Sequence, residues 1–80
     1  MESLKHKKKV VGIKETKNAV KSGTASVVYL AEDADFQVIE PLRELCTLSG
    51  IKCVSVPGRK ELAKACGVDV PTAAAAVLED

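Results

Sequence analysis

The distribution of apolar and polar positions divides this chain into alternating helical and extended segments. Residues 36 to 49 place Val38, Ile39, Leu42, Leu45, Cys46 and Leu48 at spacings of three and four, with Gln37, Glu40, Arg43 and Glu44 on the other side. That spacing predicts an amphipathic helix with one stripe turned to a core, ended by Gly50. Residues 26 to 31, Ser-Val-Val-Tyr-Leu-Ala, are a short continuous apolar run, the pattern of a strand covered on both faces. Lys9, Val10 and Val11 form a second short strand. Between the two strands, residues 14 to 22 are polar with Ala19 and Val20 turned inward, and Gly23 closes the segment as a helix C-cap does. Ile51 to Val56 reads as a further strand, stopped by Pro57 and Gly58, which begin a helical segment running through Cys66 and closed by Gly67. The run from Ala73 to Leu78 serves two readings, since Ala favours helix while the short length and Pro71 permit a buried strand. We assign it to the sheet. Alternation of this kind in 80 residues predicts one α/β domain over residues 1 to 80, a three-layer α/β/α sandwich around a four-stranded mixed sheet.

Composition adjusts this picture in two ways. Apolar residues are 46% of the chain and charged residues 29%, a globular balance. Aromatics are one Phe, one Tyr and no Trp, so the core must be aliphatic, a stacking platform of several rings is absent and recognition by base stacking is not expected. The net charge of +1 conceals segregation: residues 1 to 21 carry seven lysines against Glu2 and Glu15, while residues 22 to 51 carry Arg43 against five acids. A basic end on a near-neutral domain suits a local contact with a polyanion. Cys46, Cys53 and Cys66 are odd in number and lack C-x-x-C spacing, so they read as small core residues. There is no apolar h-region and no long apolar span, which makes a cytoplasmic protein without a membrane segment the expectation.

Two helices begin alike, as Gly12-x-x-Glu15 and Gly58-x-x-Glu61. Gly near the N-cap leaves the approach clear, and the unpaired N–H groups with the helix dipole form an anion site, while Glu15 can accept from guanine N–H groups. From spacing alone, ordinary capping is the better account. Lys5, Lys7, Lys8 and Lys9 are equally a phosphate-contacting cluster and a solvated basic end. Glu32, Asp33 and Asp35 resemble a hard-cation cluster, but their place between strand and helix favours helix capping. His6, the only histidine, has no Ser, Cys or acid paired with it, and no phosphate loop is present, so an enzyme is not expected and no cofactor is implied.

Several ordered segments carry a resemblance. Val11-Gly12-Ile13-Lys14-Glu15-Thr16, Ala31-Glu32-Asp33-Ala34-Asp35, Val56-Pro57-Gly58-Arg59-Lys60-Glu61-Leu62 and Ala65-Cys66-Gly67-Val68-Asp69-Val70-Pro71 resemble, in that order, the signatures of the large-subunit ribosomal protein seven-Ae family, whose members include box C/D ribonucleoprotein core proteins and a compact bacterial subgroup. The resemblance implies a protein that binds the kink-turn, a sharply bent RNA helix with tandem sheared G·A pairs, as in ribosomal RNA or a messenger leader. It implies that Gly12, Ile13, Lys14 and Glu15 open a helix entering the widened groove, with Lys14 and Glu15 at guanine edges and Lys17, Asn18 and Lys21 near bases or phosphates. By the same resemblance Val68, Asp69, Val70 and Pro71 pack against unpaired nucleotides, Arg59 reaches backbone or a flipped base, and Asp35 and Ile39 line the pocket for that base. Where many members have Asn this chain has Lys14, as in the compact bacterial subgroup. Asn18 stands where many members carry a cation, which implies affinity lower by about 1–3 kcal/mol unless Lys17 or Lys21 compensates. The expected protein is monomeric, ribosomal or ribosome-associated. The alternative is a protein-interaction module using the acidic stretch from Asp33 to Glu44.

Overall fold

A computed structural model describes Leu4 and residues 6 to 79. The elements run β1 (Lys9–Val11), α1 (Ile13–Ser22), β2 (Ala25–Ala31), α2 (Phe36–Ser49), β3 (Lys52–Val56), α3 (Arg59–Cys66) and β4 (Ala74–Leu78). The sheet order is β1-β4-β2-β3; β4 is antiparallel to both β1 and β2, and β2 is parallel to β3. The sheet is therefore mixed, as the alternation of elements predicts.

The two core clusters show where the layers lie. On one face Val28 and Leu30 of β2 pack with Ala19 and Val20 of α1 and with Ile39, Leu42 and Cys46 of α2. On the other, Tyr29 and Ala31 pack with Leu62 and Cys66 of α3 and with Leu4. β2 is apolar throughout because helices cover both of its faces. Its register with β4 shifts between Ala25 and Val27, so Ala25 joins the α1/α2 side out of strict alternation while the Ser26 hydroxyl donates to the Val77 carbonyl at 3.1 Å.

The Ala-rich segment is the clearest case of tertiary context deciding an element. Ala74, Ala75 and Ala76 are fully buried in the second central strand, part of the α1/α2 core cluster on one face and of the α3 cluster on the other. Small side chains let the helical layers come close to the sheet there, and that burial outweighs the helix preference of Ala.

α2 departs from the expected stripe. Ile39, Leu42 and Cys46 are buried, but Val38 is 41% and Leu48 86% exposed. Val38 stands about 100° around the helix from Ile39, and Leu48 lies on the same outer flank, so the sheet-facing stripe is narrower than the spacing suggests. β3 begins at Lys52 because the Ile51 N–H is engaged with the Cys46 carbonyl at 2.9 Å, closing α2.

Candidate nucleic-acid interface

β1, β2 and β3 run in one direction and β4 in the other, so three strands end and one begins at the same end of the sheet. Backbone hydrogen bonds tie that end together: Gly12 N to Ala74 O at 2.8 Å, Ala31 N to Ala73 O at 2.9 Å and Glu32 N to Val56 O at 2.8 Å. The start of α1, the β2–α2 turn, the start of α3 and the α3–β4 loop all leave from this edge. Residues scattered from Gly12 to Pro71 along the chain thus stand on one surface.

The three helices start differently. Gly12 precedes α1 with φ 110° and ψ 157°, a region open in practice only to glycine, and it supplies no side-chain cap. The first N–H of α1 with a backbone acceptor is that of Thr16, bonded to the Gly12 carbonyl at 3.0 Å. The N–H groups of Ile13, Lys14 and Glu15 face the edge without an acceptor among the described residues. At α2 the Asp35 carboxylate accepts from Gln37 N at 2.8 Å. At α3 the Asp33 carboxylate, from a distant turn, accepts from Arg59 N at 2.9 Å and lies 3.4 Å from Arg59 Nε. The anion site expected at both glycine-led starts is open at α1, while at α3 the protein's own carboxylate takes the first N–H and the side chain of Arg59.

Along α1, Thr16, Ala19 and Val20 are buried, while Lys14, Lys17, Asn18 and Lys21 are exposed. Their spacing puts the exposed four on one ridge running about 10 Å from the open start. Glu15 is exposed beside that ridge, and Ile13 is half-buried against the core. Arg59 is half-exposed, with its side chain held by Asp33. In the α3–β4 loop Asp69, Val70 and Pro71 are exposed and Val68 packs against the core. That loop is fixed to Arg59 by the Thr72 N–H donating to the Arg59 carbonyl at 3.1 Å. Ile39 is 4% exposed and belongs to the core under α2, so it offers a floor and no free side chain.

Other sequence candidates lie elsewhere. Lys5 lies outside the described residues. Lys7 and Lys8 are at the far end of β1, where the Lys8 carbonyl accepts from Leu78 N at 2.9 Å, so the lysine cluster is at the opposite end of the sheet from Gly12. The acids after β2 each have a partner: Asp35 caps α2, Asp33 caps α3, and Glu32 pairs with Arg43 at 2.9 Å. Hydrogen bonds from Ser55 and Arg43 lower the Glu32 pKa. Burial raises all three thiols, with Cys46 pushed up to about 11, so none is a poised nucleophile. The long-range role of Asp33 is not legible in the local cluster of acids, because its partner is on a different segment and nothing in the spacing announces it.

A small α/β/α domain whose glycine-led, uncapped helix start opens a cationic ridge has the features of a class built to meet nucleic acid. The whole chain, residues 1–80, matches the ribosomal protein L7Ae/L30e/S12e/Gadd45 family, and the protein is a member of that family. An RNA-binding protein of Caldanaerobacter subterraneus subsp. tengcongensis is 44% identical over 69 residues, 86% of this chain and 84% of the relative. The RNA-binding protein YbxF of Geobacillus stearothermophilus is 39% identical over the same shares of each chain. Among solved structures, a 15.5kD RNA binding protein of Giardia lamblia superposes with a TM-score of 0.86 at 30% identity, over 91% of this chain and 62% of that one. The protein is thus an RNA-binding member of its family, with the three helices and four-stranded mixed sheet shared by its structural neighbours.

Proposed function

We propose that this protein recognises and stabilises kink-turn RNA as a monomer in the cytoplasm, on ribosomal RNA or on a messenger leader, and that it performs no catalysis. The observation that carries the reading is the open start of α1: three N–H groups without acceptors among the described residues, behind a Gly with no side chain, beside Glu15 and at the head of the Lys14–Lys21 ridge. Phosphate can approach the N–H groups closely, and Glu15 can accept from guanine N–H groups in a groove that a bend has widened. Regular A-form RNA keeps its major groove too narrow for this entry. Arg59 and the 68 to 71 loop supply a second contact surface on the same edge, which a bent RNA reaches and a straight duplex does not. Binding energy available only in the bent form shifts the RNA's own equilibrium toward it.

The acidic stretch gives less support to a protein-docking reading, because Glu32, Asp33, Asp35 and Glu40 are engaged in capping or ion pairs within the fold. The test is a titration of a fluorescently end-labelled kink-turn RNA against the same RNA with its sheared G·A pairs replaced by Watson–Crick pairs. The expected result is energy transfer that rises with protein only for the first. Equal affinity for both RNAs overturns the reading.

A further inference from the structure

Four large apolar side chains stand exposed among the described residues, and two of them, Phe36 and Val70, lie in segments next to residues hydrogen-bonded to Arg59. Phe36 is 72% and Val70 65% exposed, Val38 is 41% exposed, and Leu48, at 86%, lies twelve residues along α2 from Phe36, about 18 Å away. Val70 is in the loop that Thr72 binds to the Arg59 carbonyl. Phe36 is the first residue of α2, directly after the cap Asp35.

Helix geometry says where its ring goes. Phe36, Glu40 and Arg43 are spaced i, i+4 and i+7 and share a face. Arg43 on that face reaches Glu32 at 2.9 Å and Ser55 of β3 at 3.5 Å, so the face looks toward the β3 side of the domain. Side chains on a helix lean toward its N-terminus, and a first-turn residue has no preceding turn to lie on. The Phe36 ring therefore projects past the start of α2 toward the edge where Asp33 ties Arg59 to the β2–α2 turn. A ring left in water there contributes little to the core. It does offer a flat apolar face at the same edge as a half-exposed guanidinium, and unpaired bases stack on both kinds of surface. A multi-ring platform is absent from the sequence; one ring at this point suffices for one base.

We propose that Phe36 is a base-stacking residue of the interface, taking one unpaired nucleotide of the bent RNA against its ring beside Arg59. The proposal rests on the kink-turn reading above. It adds a contact that reads whether a base is present, which phosphate-directed lysines do not.

The test measures equilibrium affinity of the whole protein for a kink-turn RNA and for versions with an abasic residue at each unpaired position of the bend in turn. Phe36→Ala weakens binding to the intact RNA by about 5- to 150-fold, the factor that base–aromatic stacking carries. Phe36→Trp retains affinity, and Leu48→Ala, at the far end of the same helix, leaves it unchanged. At one abasic position the wild-type protein loses the same factor and Phe36→Ala loses nothing more. Unchanged melting temperatures for all three variants separate this from a folding defect. Phe36→Ala binding as tightly as wild type, or losing equally on every abasic RNA, overturns the stacking role while leaving the kink-turn reading intact. A wild-type protein with no preference for kink-turn RNA overturns both.

Discussion

The starts of α1 and α3 are near-duplicates in sequence and opposites in structure. Gly12-x-x-Glu15-Thr16 and Gly58-x-x-Glu61-Leu62 both put Gly before the helix, an acid in the first turn and a fully buried residue one turn in, and both close the same backbone bond, Thr16 to Gly12 at 3.0 Å and Leu62 to Gly58 at 3.1 Å. Yet the α3 start is covered by Asp33, while the α1 start is uncovered. Gly58 is extended at φ −147°, a conformation any residue adopts, whereas Gly12 at φ 110° is in a glycine-only region. The backbone strain is confined to one start, and of the first three N–H groups one is taken by a carboxylate at α3 and none at α1 among the described residues. A fold of this size has ends enough for several anion sites, and an internal carboxylate decides which end stays available.

That contrast can be broken or sharpened by substitution, and the largest effect belongs to the paired acids. Glu15→Ala removes detectable kink-turn binding in a gel-shift titration, a loss at or above the ~1–3 kcal/mol of a base-edge contact, because guanine donors are left unpaired. Glu61→Ala leaves binding unchanged; equal losses from the two would erase the functional difference between the starts. Next in size, Gly12→Ala destabilises the fold by about 1–3 kcal/mol in chemical denaturation through backbone strain alone, since nothing lies within 4 Å of the added methyl. Gly58→Ala, whose methyl meets Asp33 Oδ2 at 3.5 Å in ordinary contact, shifts the midpoint little. Asp33→Ala costs about 1 kcal/mol, the loss of a cap, and a midpoint identical to wild type would show that α3 is covered without need. The smallest effect is at the buried position of α1: the Thr16 hydroxyl has no hydrogen-bond partner among the described residues, so Thr16→Val stabilises by up to about 1 kcal/mol, where α3 already has Leu62.

Much of this molecule follows from local pattern. Gly23, Gly50 and Gly67 all terminate helices in the left-handed conformation, as their positions after the periodic segments predict, and β2 runs from Ala25 to Ala31 around the expected apolar stretch. The α2 stripe is narrower than its spacing predicts, at Val38 and Leu48, because spacing gives the angle of a side chain but not the extent of the surface beneath it. Phe36 was legible as an aromatic and illegible as an exposed one, since burial at a helix's first turn depends on what the neighbouring loops cover.

The sequence by itself determined the order of elements, the helix ends, the aliphatic core and the family signatures, all of which rest on interactions within a few residues or on composition. Tertiary structure decided three things that depend on residues far apart in the chain. It made a strand of the alanines, because two helical layers bury Ala74 to Ala76. It brought Gly12, Arg59 and the 68 to 71 loop to one edge, because three strands end where the fourth begins. And it distinguished the two glycine-led helix starts, because a carboxylate 26 positions from Arg59 in the chain folds back to fill one of them.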